Sequence, residues 1–174
     1  MTALEETLIR TLLNPRQMHA SRSFASAVAE SKTVCVAPSP QQDLGLARQF
    51  ISAFQSLYPG KRVVLLRKAP QTAATDESIQ EVAIGPVDQR LWTLWRSPQI
   101  HTLGKMRIDL FIDLDPHFNP LYAFLCRRLN PPLRLTFAKP KSEDYYNLEY
   151  TGRPQAFYAE RLEGLVHFLA QFQS

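Results

Sequence analysis

The sequence predicts an α/β fold with a mostly parallel sheet, and three observations predict it. Short apolar runs at residues 34–37, 63–66 and 108–114 fit strands that are buried on both faces. Between the first two runs, Leu44, Ala47, Phe50, Ile51, Phe54 and Leu57 recur at helical spacing and form one apolar stripe. Further strand and helix patterns then alternate to the end of the chain, as a doubly wound sheet requires.

The elements follow in order. Residues 3–13 carry Leu4, Leu8, Ile9, Leu12 and Leu13, an amphipathic helix that stops before Asn14-Pro15. Residues 21–30 form a second, alanine-rich helix. Residues 1–30 together read as an N-terminal helical extension that packs on the sheet or on another subunit, followed by one domain at 31–174. The first strand is 34–37. After it comes the loop from Pro38 to Asp43, then the striped helix, which Tyr58-Pro59-Gly60 ends, then the strand 63–66. Such a βαβ unit places its first loop at the carboxyl edge of the sheet, where open α/β folds bind ligands. Residues 69–77 read as a polar loop, 82–84 as a third strand, 86–95 as a helix or turn, and 101–107 as a further short helix. The strand 108–114 leads into a second carboxyl-edge loop, 115–120, and then a helix at 121–129. A strand at 133–137, a polar loop at 138–153 and a closing amphipathic helix at 158–172 complete a single Rossmann-like domain.

Composition narrows the function. In 174 residues, 45% are hydrophobic and 21% charged, which is globular. Thirteen prolines against six glycines point to stiff connections. The net charge of +4 is mild, and with no recognised motif it gives no support to nucleic-acid binding. Basic residues cluster at Lys61, Arg62, Arg67 and Lys68, and again at Arg127, Arg128, Arg134, Lys139 and Lys141. Such patches could face phosphates, anionic lipid or an acidic partner, although a solvated surface is the commoner explanation. Cys35 and Cys126 form no CxxC pair and read as buried thiols of a cytoplasmic protein. Residues 1–30 hold Glu5 and Glu6 and no long apolar run, so no secretory signal or transmembrane segment is expected.

Candidate chemistry gathers on the two carboxyl-edge loops. Pro38 and Pro40 remove amide donors, so the first loop is a poor phosphate cradle. Asp43 stands at the N-cap of the following helix, where its carboxylate accepts a backbone amide bond. Asp113, Asp115 and His117 suggest a metal group, but no fourth ligand is evident and structural roles are favoured, so no metal is expected. Tyr145, Tyr146 and Tyr150, with Lys139, Lys141 and Arg153 nearby, either stack a ligand or anchor a long loop, and anchoring is favoured. There is no GxGxxG, P-loop or Ser-His-Asp order, and no cofactor is expected.

The order of elements resembles the N-terminal, acceptor-side domain of glycosyltransferase family 9, the heptosyltransferase-like enzymes. The resemblance rests on Asp43 after the first loop, Tyr58-Pro59-Gly60, the strand 63–66, the strand from Arg107 to Leu114, and the helix opening at Tyr158. It covers residues 32–172. The family's loop glycine is replaced here by Gln42. The resemblance implies that Asp43 occupies the position of the base on the acceptor hydroxyl. The two carboxyl-edge loops make Ser39, Gln42, Asp115, His117 and Asn119 the expected ligand-binding residues. In the family a second domain binds the nucleotide-sugar donor, and the sequence ends at Ser174 before any such domain. Sugar transfer needs donor and acceptor in one cleft. The expectation is therefore a non-catalytic binding or assembly module on a glycosyltransferase-like half-fold, with a protein partner or homodimer and a sugar or phosphorylated ligand. The alternative is an enzyme acting on a sugar or phosphorylated small molecule, completed by a separate donor-binding chain.

Overall fold

The structure is a computed structural model, and it describes residues 24–68, 79–84, 98–153 and 155–173. The expected helix at 3–13, the loop at 69–77 and the helix or turn at 86–95 lie outside the described residues. The strands are β1 (Thr33–Ala37), β2 (Arg62–Lys68), β3 (Ile79–Ile84), β4 (Leu110–Asp113), β5 (Leu133–Phe137) and β6 (Leu148–Tyr150). They form one sheet in the order β3-β2-β1-β4-β5-β6, with every pairing parallel. Five α-helices flank it among the described residues: α1 (Phe24–Glu30), α2 (Leu44–Leu57), α3 (Pro98–Lys105), α4 (Pro120–Leu129) and α5 (Tyr158–Ala170).

Side chains alternate across the sheet, which is why the apolar runs are continuous. Val34, Val36, Val63, Leu65, Leu110 and Ile112 face a core shared with α2 and α5, through Phe50, Phe54, Leu162 and Leu165. Cys35, Ala37, Val64, Leu66 and Phe111 face the opposite core, shared with α3 and α4 through Leu103, Phe124 and Leu125.

Local chemistry sets the helix ends. The Asp43 carboxylate accepts the Gly45 amide at 2.9 Å and starts α2. Asn119 caps α4, with Pro120 at its first position and Asn130 closing it in the left-handed conformation at φ 46°. The Lys61 ammonium donates to the carbonyls of Val28, Ala29 and Ser31 at 2.7, 3.0 and 2.6 Å. It thereby caps the carboxyl end of α1, where a cation is favoured. Phe24 stacks edge-on against Phe172 and lies 5.8 Å from Phe168, and Val28 is fully buried. The described part of the N-terminal extension thus packs on its own domain, beside the end of α5.

Four expectations need correction. Residues 138–153 are not one polar loop: a 3-10 turn at Ser142–Asp144 leads to β6, which pairs with β5. β6 has only three residues and lacks a long apolar run, so its pattern was masked by the tyrosines and charges around it. The third strand begins at Ile79, and the helix expected at 101–107 is α3, set three residues earlier. The strand expected at 108–114 is limited to β4, with a bend at Asp109 before it.

Candidate functional site at the β1/β4 crevice

The strand order reverses between β1 and β4, and a switch point of this kind places a crevice at the carboxyl edge beside the loops that follow the two strands. The two loops are joined at their roots, where the Leu114 amide donates to the Ala37 carbonyl at 2.8 Å. The Tyr122 hydroxyl, from α4, donates to the Pro38 carbonyl at 2.7 Å.

Asp115 is the hub of the crevice. It is buried, and both carboxylate oxygens are occupied. Oδ1 accepts from the Ser39 hydroxyl at 3.4 Å and the His117 amide at 3.1 Å; Oδ2 accepts from the Asn119 side-chain amide at 3.2 Å. Asn119 in turn accepts the Leu121 amide at 3.1 Å, which ties the network to the start of α4. Four of the residues expected at this edge, Ser39, Asp115, His117 and Asn119, are therefore one hydrogen-bonded unit. The His117 imidazole stands outside it with 72% of its side chain exposed, and its Nδ1 lies 3.8 Å from Asp115 Oδ1. Gln42 and Asp43 are exposed on the neighbouring loop, and Asp43 spends one oxygen on the α2 cap.

Beneath the hub lies a buried layer. Lys139 places Nζ 2.7 Å from Asp113 Oδ2 and 2.7 Å from the Asp115 carbonyl. The Tyr146 hydroxyl donates to the same Asp113 oxygen, and the Asp115 amide donates to Asp113 Oδ1 at 2.9 Å. Burial pushes the Asp113 carboxyl upward, and the Lys139 ammonium, the Tyr146 hydroxyl and the Asp115 amide oppose that shift. Burial, then the Asp113 charge, holds the Tyr146 phenol well above its ordinary value. Lys139 is thus not part of a basic surface, and Tyr145 and Tyr146 are buried anchors rather than a stacking platform. Asp113 is committed to Lys139 and Tyr146. No three His, Cys, Asp or Glu side chains gather as a metal site among the described residues.

Two functional candidates were not legible in the sequence. The Tyr158 hydroxyl, at the start of α5, is buried and turned toward the Ser39 amide without closing a hydrogen bond. Burial raises its pKa most, the Ser39 amide opposes that rise, and the Asp115 and Asp113 charges add to it. The preceding residue, Phe157, is 80% exposed. The sequence placed Tyr158 in the closing helix, and only the fold brings that helix start to the β1 loop.

No protein family and no curated protein matches the chain. Solved structures do match its fold. E. coli heptosyltransferase WaaC with ADP superposes with a TM-score of 0.56 at 16% identity, covering 78% of this chain and 46% of that one. A glycosyl transferase family 9 structure from Veillonella parvula gives 0.55 at 14% identity, covering 79% of this chain and 41% of that one. The chain therefore spans less than half the length of these structures, and what it shares with them is the Rossmann-like, glycosyltransferase family 9-like fold.

Proposed function

We propose that this chain is a ligand-binding module on a glycosyltransferase-like half-fold, holding a sugar or phosphorylated small molecule at the β1/β4 crevice. The observation that carries the reading is the state of Asp115. Its carboxylate accepts from the Ser39 hydroxyl, the His117 amide and the Asn119 side chain, which suits it to a rigid frame rather than to a base. The exposed His117 imidazole is left to meet a ligand, and the buried Tyr158 hydroxyl keeps a donor that no described residue accepts. An exposed imidazole over a buried polar network suits a polar, hydroxyl-bearing molecule. Asp43 is held as a helix cap.

The second reading is an acceptor-side half of a sugar transferase. It is favoured by the superposition on a heptosyltransferase. Asp43 would then act on the acceptor hydroxyl, and a donor-binding unit supplied by a partner would close the cleft. Titration calorimetry with a panel of sugar phosphates and nucleotide-sugars tests both. Binding of sugar phosphates that Tyr158→Phe and His117→Ala weaken supports the module. Nucleotide-sugar binding tighter than about 10 μM, roughly −7 kcal/mol, by this chain alone contradicts it.

A further inference from the structure

A second feature lies away from the crevice. Arg127 is in the last turn of α4, a helix of about 15 Å whose opposite end, at Asn119, forms the crevice. Arg134 is the second residue of β5 and pairs in register with Phe111 of β4, so it stands on the α3/α4 face of the sheet. Arg127 stacks over the Tyr145 ring at 5.3 Å and donates through one terminal nitrogen to the Asp144 carbonyl. The Nε of Arg127 and the Nε of Arg134 are both buried and make no hydrogen bond among the described residues. Burial and the charge of Arg134 both lower the Arg127 pKa, while the exposed Asp144 is the weakest of the influences that oppose them. The dipole of α4 favours a cation at Arg127, but it gives no reason for a second guanidinium on the strand beside it. Each guanidinium keeps one buried donor unmet, and an anion between the two would meet both donors and offset the repulsion of the like charges. Their planar forks match tetrahedral oxyanions, and two positive charges balance a dianion.

We propose that Arg127 and Arg134 form a binding site for a phosphate monoester group at the amino edge of the sheet. It is separate from the crevice and does not depend on the function proposed there. The test is thermal unfolding of the full chain in rising inorganic phosphate, with chloride holding the ionic strength constant. The site predicts a saturable stabilisation, reaching a factor of about 100 in the folding equilibrium at 100 times the dissociation constant. Arg134→Met and Arg127→Met should each abolish it, and Arg134→Lys, which keeps the charge and loses the fork, should weaken it about tenfold. A wild-type protein that gains nothing, or variants that gain as much as wild type through general salt exclusion, would overturn the site. If Arg127→Met does not fold, the two Arg134 variants decide alone: retention in both overturns the site, and loss with methionine supports it. Sedimentation with phosphatidylcholine vesicles, with and without phosphatidic acid, identifies the source of the phosphate. Arginine-dependent capture by the acidic vesicles assigns a lipid headgroup, and its absence beside a positive phosphate titration assigns a soluble phosphate.

Discussion

Lys139 holds its ammonium 2.7 Å from Asp113 Oδ2 where neither side chain reaches solvent, at 1% and 0% exposure. This pair supports the crevice from below. Through the Asp115 amide and carbonyl it fixes the backbone of the β4 loop, and Asp115 then fixes Ser39, His117 and Asn119. Breaking a buried pair by removing one partner leaves an uncompensated charge, at a cost of about 3–5 kcal/mol. Lys139→Met should therefore lower the urea midpoint severely. The double variant Lys139→Met/Asp113→Asn should recover part of the loss, because no charge is then stranded. A double variant as unstable as the sum of the singles would show that the two residues act independently.

The Asp43 carboxylate has an identified structural role. Asp43→Ala should cost about 1 kcal/mol as a lost helix cap, and Asp43→Ser should cost far less. Equilibrium unfolding of both variants checks this. Equal losses in both would mean that the cap contributes nothing and that the carboxylate is held for another purpose.

Gly164 of α5 lies against Tyr150 of β6. A Cβ at Gly164 would overlap the Tyr150 hydroxyl, while the ring carbon behind it is 3.3 Å away. Gly164→Ala should destabilise by about 1–3 kcal/mol through overpacking. Tyr150→Phe, which removes the hydroxyl, should relieve much of that loss in the double variant. Strictly additive losses would contradict the packing.

Alkaline stability follows from the buried acids. Burial raises the Cys35 and Cys126 thiols above their ordinary value of 9.0. It also raises the Tyr122, Tyr146 and Tyr158 phenols above theirs of 10.0. A group raised in the folded state loses its proton first in the unfolded state, so its stabilisation is complete below the unfolded pKa and is lost above it. Stability should hold to about pH 9 and then fall, with each group adding up to about 1.4 kcal/mol per pH unit. Urea midpoints from neutral to alkaline pH measure this. The same burial predicts that both free thiols resist a thiol reagent in the native state and react after unfolding. Rapid native labelling of either thiol would contradict the packing of β1 or α4.

Much of the fold was legible because its strands are buried on both faces. Val34, Val63, Ile112 and Leu135 lie in runs that leave no other home for the apolar side chains. The two crevice loops were legible too, since Asp43 and Asn119 are helix caps and Ser39 and Asp115 follow strand ends. The support beneath them was not. Lys139 and Tyr146 meet Asp113 across 26 and 33 residues, and in sequence they look like members of a charged, aromatic loop. Tyr158 was hidden for a similar reason. Nothing in a helix pattern shows that its first hydroxyl will reach the β1 loop.

The most direct test of the account is backbone NMR of the full chain titrated with a panel of sugar phosphates. A ligand site at the β1/β4 crevice predicts saturable shifts in Ser39, Gln42, His117 and Asn119, displaced or lost in Tyr158→Phe, with the β-sheet resonances unmoved. Shifts confined to other surfaces, or no shifts at millimolar ligand, of order −4 kcal/mol, would contradict a ligand site at the β1/β4 crevice.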